Sequence, residues 1–357
     1  MRFRHLAIIC ALANIAIAAA VCPNASGQSL QSPAASQAPL PSVLDNYLTT
    51  YVKLTAPQRR QLLSGSPVTA LLDANAGQEV GIFGAVWIDA APASYVARMK
   101  DIERFESGGA FRVTKRISNP PRLEDFDALE LPADDVADLR RCRISDCEIK
   151  LSQPSIDRVR NEINWSRPTA VADATRLARR LAFEYVTGYQ QGGNDRLAVY
   201  RDSERPTFVA SELRSMVDRM PELVEYLPEL RTYLLQYPRA TLTNSSSFLY
   251  WQEAKFGLKP TVRINHVVIQ DRPGAVAVAS KLIYASHYFW TALEFRVLLS
   301  DPARGRGFWF VNVSRSRSDG LTGFTGRLIR GKVENEAQKG ILAALQNTKQ
   351  KLEQRGP

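Results

Sequence analysis

Apolar and polar residues alternate in the first part of the folded chain in a way that predicts two strands around a helix. Residues 78–89 form a mostly apolar run that ends before Pro92, and residues 111–117 carry charges at alternate positions, which is the period of a half-buried strand. Residues 93–105, between these runs, predict a helix. The folded region is therefore expected to begin with a strand, a helix and a second strand.

A helical period dominates the middle of the chain. Residues 169–190 place apolar side chains on one stripe and arginines outside it, which predicts an amphipathic helix. The stripe consists of Ala174, Leu177, Ala178, Leu181 and Tyr185. Residues 133–141, 209–220 and 221–236 also predict helices, and Pro238 ends this region.

From residue 247 onward the pattern returns to that of strands. Residues 248–256 and 261–270 predict a pair of strands, followed by a turn at 271–274. Residues 275–300 contain no Gly, Pro, Asn or Asp. As one extended strand they would span roughly 85 Å, far more than a normal strand. We therefore expect two strands or one strongly bent strand there, with the bend near residues 287–291.

The C-terminal end predicts one more strand and a long helix. Residues 307–315 predict the strand, and a glycine-rich loop around Gly320 follows it. Residues 331–354 then predict an amphipathic helix. Its apolar stripe consists of Val333, Ala337, Ile341, Ala344, Leu345, Thr348 and Leu352.

Two segments of the chain carry a resemblance to a known superfamily. The run Ile88-Asp89-Ala90-Ala91-Pro92, continued to Asp101, looks like a first strand and its following helix, and residues 247–353 look like a strand meander closed by a helix. On these segments the chain resembles the helix-grip superfamily of START-like and polyketide-cyclase-like domains. The resemblance implies an α+β fold in which a curved antiparallel sheet wraps a long C-terminal helix, with an apolar cavity between them. Residues 119–204 depart from this pattern and are expected to be a helical insertion; membership of another exported bacterial family is the alternative.

The N-terminus has the layout of an export signal. Arg2 and Arg4 precede an uncharged apolar run, and small residues follow it at 25–27, which predicts a signal peptide over residues 1–27 that is removed on secretion. A retained membrane anchor is the alternative. Residues 28–42 are rich in Ser, Ala, Gln and Pro and predict a flexible linker, so residues 43–357 form the expected folded domain. The mature protein is then periplasmic or secreted.

The charge of the chain is moderately positive. The formal net charge is +10, and no run of five Lys or Arg residues occurs, which argues against a nucleic-acid-binding arm. The positive balance fits contact with an anionic membrane surface, and plain solubility is the alternative. We expect no cofactor, because no dinucleotide or phosphate-loop motif is present.

The mature chain would keep two cysteines. Cys142 and Cys147 are separated by four residues, and in an oxidising compartment this spacing predicts a small local disulfide. Free buried thiols and a metal site are the alternatives. The histidines are too scattered in the sequence to supply a recurrent ligand spacing, so no metal is expected.

Five residues of the C-terminal strand region are candidates for a ligand cavity. His266 and His287 alternate in phase with apolar neighbours, which predicts that both imidazoles point into an apolar interior. There they would anchor a ligand by hydrogen bonds or act as a general base; ordinary core histidines are the alternative. Phe289, Trp290 and Glu294 lie close by, and an ion pair between Glu294 and Arg296 is the simpler interpretation of that carboxylate.

The glycine-rich loop is a candidate gate over the cavity or a membrane-inserting loop. The loop contains flexible glycines together with apolar and basic side chains. Apolar side chains insert into a bilayer surface, and basic side chains are attracted to anionic lipids. The residues concerned are Leu321, Phe324, Arg327, Ile329 and Arg330. The alternative is that these apolar side chains pack under the C-terminal helix.

These patterns predict an exported, non-catalytic protein that binds or carries a hydrophobic or lipid-like ligand in an apolar cavity. No catalytic residue is assigned, because neither a Gly-x-Ser-x-Gly nor a His-Glu-x-x-His motif occurs. An enzyme that uses His or Glu acid–base chemistry on a hydrophobic substrate is the first alternative. An envelope protein whose basic face binds a partner is the second.

Overall fold

An eight-stranded antiparallel sheet organises the computed structural model, which describes residues 39–74, 77–256, 259–321 and 323–354. The strand order is β1-β2-β10-β9-β8-β7-β6-β3, so β1 and β3 form the two edges and the sheet is not a closed barrel. The strands are Val68–Leu71 (β1), Glu79–Ile88 (β2), Phe111–Ile117 (β3), Ser245–Phe256 (β6), Lys259–Arg272 (β7), Ala275–Ala285 (β8), Phe289–Ser300 (β9) and Phe308–Ser318 (β10). A separate pair consists of Val199–Tyr200 (β4) and Thr207–Phe208 (β5).

The long apolar run at 275–300 forms two strands, as its length predicts. β8 and β9 pair with each other, and the chain reverses between them through Ser286, His287 and Tyr288. Tyr288 has a positive φ of 63°, the backbone conformation of a tight turn. The reversal overlaps the predicted bend but begins one residue earlier.

Helices cover both faces of the sheet. They are Ser42–Tyr47 (α1), Ala56–Leu63 (α2), Pro92–Lys100 (α3), Ile102–Phe105 (α4), Ala133–Arg141 (α5), Gln153–Glu162 (α6), Ala170–Gly192 (α7), Val209–Val217 (α8), Pro228–Gln236 (α9) and Gly323–Glu353 (α10). Short π-helical segments lie at Leu48–Val52 and Glu222–Tyr226, and 3-10 turns at Leu123–Phe126 and Gly193–Arg196. Within the described ranges, no helix is both long and apolar enough to cross a bilayer.

Strand β2 shows how the two faces are used. Its residues Ile82 and Val86 belong to a core with α3 and α10, whereas Phe83 and Ala85 belong to a core with α1, α7, α8 and α9. All ten residues of β2 are buried. A strand covered on both faces reads as a continuous apolar run rather than an alternating one, which explains the pattern at 78–89. We call the two sides the α10 face and the helical-block face.

The domain boundaries of the sequence analysis are placed as follows. The predicted signal peptide and most of the predicted linker lie outside the described residues, and α1 begins at Ser42, at the end of that linker. The region proposed as an insertion at 119–204 contains α5, α6 and α7. The same helical layer continues through α8 and α9 to Gln236, so the helices over the sheet extend beyond the predicted segment.

Three predicted elements differ from the structure. The predicted helix at 93–105 is divided at Asp101 into α3 and α4. The predicted helix at 221–236 is divided at Leu227 into the π-helical segment Glu222–Tyr226 and α9. The prediction of a glycine-rich loop before residue 331 is wrong, because α10 already begins at Gly323. A Cβ atom at Gly326 would lie 2.6 Å from the backbone carbon of Leu321, so this glycine allows the helix to start directly against the preceding turn. The C-terminal helix itself is confirmed.

Candidate functional site

An apolar cavity of ≈ 110 Å³ lies on the helical-block face, between the helices α5, α6 and α7 and the strands β7 and β8. Leu129, Ile149, Leu177, Leu181 and Ile264 are among the side chains that line it. Most of its other lining residues are also apolar. The cavity is thus covered on one side by the segment that departs from the helix-grip pattern, and the C-terminal helix does not line it.

The sequence of α7 explains why space remains there. The predicted apolar stripe of this helix is correct, and all five of its members line the cavity. Ala178 and Ala182 stand where the helix faces the sheet, and alanine is too short to fill the distance between a helix and a sheet that larger side chains hold apart. The two alanines therefore leave space between α7 and the sheet.

One wall of the cavity is polar. Asp135 lines it together with Ser152, Ser155 and Ser286. The Ser152 and Ser155 hydroxyl oxygens are 2.9 Å apart, and the hydroxyl of Ser286 accepts a hydrogen bond from the backbone N–H of Val262 at 3.0 Å. This wall therefore offers several oxygen atoms in a cavity that is otherwise apolar.

His287, which does not line the cavity itself, contacts the side chain of Asp135 in this wall. Its Nε2 lies 3.1 Å from Oδ1 and 3.3 Å from Oδ2 of Asp135, and its Nδ1 lies 3.1 Å from the carbonyl oxygen of Glu148. Both side chains are buried. A carbonyl oxygen only accepts hydrogen bonds, so Nδ1 must be the donor. The contact with Asp135 then requires one further proton, on Nε2 or on the carboxyl group.

A second, polar cavity of ≈ 30 Å³ lies on the α10 face. Glu106, Tyr250, Ser280 and the ion pair between Glu294 and Arg296 line it. The Tyr250 hydroxyl donates to Oε2 of Glu106 at 3.1 Å. Burial, and then the nearby Glu294 carboxylate, raise the pKa of Glu106 to about 7. The resemblance implies an apolar cavity at this place, and the structure has a small polar one.

A buried amine lies elsewhere on the helical-block face. Nζ of Lys281 donates to Oδ1 of Asn194 at 2.8 Å and to the carbonyl oxygen of Leu234 at 3.3 Å. Burial lowers the pKa of Lys281 to about 7. His266 is nearby, with Nδ1 2.9 Å from the Tyr189 hydroxyl, and burial and the Lys281 charge lower its pKa well below the usual range. His266 is therefore a neutral core histidine near pH 7.

The structure does not bring the five predicted cavity residues together. His266 lies in the core beside Lys281, and Phe289 lies in the core of the α10 face. The Trp290 indole N–H donates to Asp319 Oδ1 at 2.7 Å, and Glu294 lines the polar cavity. His287 alone contacts a residue of the apolar cavity wall, namely Asp135.

The predicted position of His287 on a strand is wrong, because it lies in the turn between β8 and β9. The pairing of β7 with β8 shifts its register between Ile264 and Asn265. The alternation of side chains along β8 is therefore not regular as far as His287. Asp135 was not among the predicted site residues. Acidic residues are common in the first turn of a helix, so the sequence favours a solvated carboxylate there.

The residues of the predicted gate are placed differently from the expectation. Leu321 and Ile329 are buried in the core of the α10 face, which agrees with the alternative that they pack under the helix. Arg330 donates to Glu334 at 2.7 Å and to the backbone oxygen of Glu79 at 2.8 Å. The side chains of Phe324 and Arg327 lie outside the described part of the chain.

The two cysteines lie at disulfide distance, as predicted. The sulfur atoms of Cys142 and Cys147 are 2.09 Å apart and the Cα atoms 4.4 Å apart. They belong to a small core with α5, α6 and α7, which also borders the apolar cavity. Among the residues that the structure describes, no group of three or more His, Cys, Asp or Glu side chains is arranged to hold a metal ion.

Comparisons with known proteins do not name a family for this chain. No protein-family model matches it, and no curated protein matches it. The resemblance to START-like and polyketide-cyclase-like domains therefore stays a prediction. What the structure gives is a mixed α+β fold with a large antiparallel sheet, a long C-terminal helix and an apolar cavity on the opposite face.

Proposed function

We propose that this protein binds a small hydrophobic ligand in the apolar cavity beneath α7 without transforming it chemically. The observation that carries the proposal is the cavity itself, ≈ 110 Å³ in volume and lined mostly by apolar side chains. An apolar cavity of about 150 Å³ in another protein stays dry and binds benzene. Binding of an apolar molecule in such a cavity is favourable, because the molecule makes van der Waals contacts that the empty space lacks.

The volume limits the size of the ligand. Pockets for drug-sized molecules measure about 300–1,000 Å³, several times the volume found here. A single ring or a short alkyl group fits the space, and a whole lipid does not. A lipid-like ligand would place only part of its apolar chain in this cavity.

Export of the protein is part of the same proposal. A cysteine pair at disulfide distance persists in oxidising compartments and is rare in the cytosol. The sequence features of residues 1–27 agree with removal of a signal peptide. The hydrophobic ligand would then be taken up in the periplasm or outside the cell, where the anionic membrane surface is a further candidate contact.

An enzyme is the alternative, and one observation favours it. Glu106 is buried in a polar cavity with a pKa of about 7, which is the protonation behaviour that a general acid or base needs near neutral pH. The ≈ 30 Å³ of that cavity admit little more than water. We therefore place ligand binding in the apolar cavity first.

Binding of fluorobenzene, measured by isothermal titration calorimetry, tests the proposal. We expect the wild-type protein to bind this single-ring probe and the variant Ala178→Leu to lose binding, because the larger side chain fills the cavity. The matched control is Val171→Leu on the same helix, where the residue is 57% exposed and binding should persist. Wild-type protein that does not bind the probe, or equal binding by both variants, would refute the proposal.

A further inference from the structure

The polar wall of the apolar cavity specifies the chemistry of its ligand. We infer that the ligand is a small neutral alcohol or phenol, whose hydroxyl donates a hydrogen bond to the Asp135 carboxylate while the rest of the molecule occupies the apolar space. This inference rests on the proposed function, and it names the ligand class for the same site. Its observation is the juxtaposition of a buried carboxylate, held by His287, with a cavity that is otherwise apolar.

Asp135 has unused capacity to accept hydrogen bonds. The side chain is 3% exposed, and a carboxylate offers about four lone-pair positions on its two oxygens. Within the described part of the chain, His287 is the hydrogen-bond partner of this side chain, and its one Nε2 atom lies near both oxygens. A buried acceptor that is only partly used makes a donor on the ligand favourable.

The pairing with His287 decides against a cationic ligand. Because Nδ1 of His287 donates to the Glu148 carbonyl oxygen, the contact at Nε2 has a proton between imidazole and carboxylate. With that proton the pair has no net charge. Bringing an ammonium group into the cavity would leave one unbalanced positive charge in an apolar space, which is costly. A neutral hydroxyl donates to the carboxylate without adding charge.

The cation Lys259 adds to this argument. Lys259 forms its ion pair with Asp138, one turn further along α5, and its positive charge also interacts with Asp135, so a second cation in the cavity is disfavoured further. The serine hydroxyls of the same wall complete the polar end, since Ser152 and Ser155 are close enough to share a hydrogen bond. They are able to accept from, or donate to, the oxygen of a bound alcohol.

Two probes of nearly equal size test the inference. Phenol donates a hydrogen bond and fluorobenzene does not, and calorimetry gives a dissociation constant for each. The measured quantity is the ratio of the fluorobenzene constant to the phenol constant. Because the hydrogen bond to a buried acceptor is lost when Asp135 is replaced by an apolar side chain, we expect this ratio to be about tenfold higher in the wild type than in Asp135→Leu, and up to about a hundredfold higher where the shared proton lies on His287 and the carboxyl group is ionised.

A second variant and a matched control keep the test independent of folding defects. Asp135→Asn retains the size of the side chain but accepts more weakly, so its ratio should lie between those of the wild type and Asp135→Leu. Asp134→Leu changes the adjacent carboxylate, which is exposed, and should leave the ratio unchanged. Fluorobenzene binding with the same ratio in the wild type and both Asp135 variants would overturn the inference and leave the proposed function standing. Binding of neither probe would overturn both.

Discussion

Gly84 of β2 lies directly under Ile341 of α10. A Cβ atom at position 84 would be 2.7 Å from Cγ2 of Ile341 and 2.9 Å from Cδ1 of Leu345. Real Cβ atoms do not come so close to other carbon atoms, so the absence of a side chain is what allows the C-terminal helix to approach the sheet. The α10 face is closed by this contact.

Gly84→Ala should therefore destabilise the protein. The added methyl group forces the helix or its side chains to move, and overpacking of this kind costs about 1–3 kcal/mol. Gly331→Ala is the matched control in α10, because nothing lies within 4 Å of a Cβ atom there. It should stabilise the helix by about 0.5–1 kcal/mol. Urea denaturation checks both changes, and a Gly84→Ala protein as stable as the wild type would contradict the packing described here.

Glu79 is a second residue on which the fold depends. It is fully buried, and its carboxylate contacts Arg315 at 2.9 Å, Arg317 at 3.0 Å and Arg219 at 3.2 Å. Removing one partner of a buried ion pair leaves uncompensated charge, so Glu79→Gln should lower the free energy of unfolding by about 3–5 kcal/mol. Glu336→Gln breaks an exposed pair with Lys339 and should change it by less than about 1 kcal/mol. Equal denaturation midpoints for the two variants would show that the buried cluster contributes nothing.

The parts of this structure that could be predicted from the sequence depend on local periodicity. The stripe of α7, the division of residues 275–300 into two strands and the C-terminal helix each follow from residues close together in the chain. The sequence does not predict the start of α10 at Gly323, because Gly326 serves close packing, which looks the same in sequence as flexibility.

The site could not be predicted in the same way. Asp135 and His287 are 152 positions apart, and no local pattern connects them. Lys281 occupies a position in phase with buried apolar residues of β8, and only its contacts with Asn194 and Leu234 show how the amine is accommodated. The face on which the apolar cavity lies depends on how α7 packs on the sheet, and that is tertiary information.

The cysteine pair leads to a chemical prediction. In protein exported by its natural route, Cys142 and Cys147 should resist alkylation until a reductant is added, because a paired set of cysteines stays oxidised in an oxidising compartment. Closing so short a loop stabilises a fold by only about 2 kcal/mol in the chain-entropy model. Cys142→Ser together with Cys147→Ser should therefore leave the protein folded but less stable. Intact-mass analysis after alkylation checks the bond, and two labelled thiols without reduction would refute it.

Glu106 should make the stability of the protein depend on pH. Burial raises its pKa from 4.5 to about 7 in the folded state, so between these values the folded protein holds a proton that the unfolded chain has lost. Stability from this group is therefore fully present below about pH 4.5 and is lost as the pH rises through 7. A difference of this size corresponds to on the order of 3 kcal/mol.

Glu106→Gln isolates this contribution, because the amide resembles the protonated carboxyl group and does not titrate. The variant should match the wild type near pH 4.5 and should be more stable than the wild type at pH 8, by up to the full difference. Tyr250→Phe removes the hydrogen bond that lowers the pKa of Glu106, so the loss of stability should extend to higher pH in that variant. Chemical denaturation at several pH values measures each curve. A stability difference between Glu106→Gln and the wild type that does not vary from pH 4.5 to 8 would mean that Glu106 is charged in the folded protein throughout, with Arg296 and Arg263 compensating its burial.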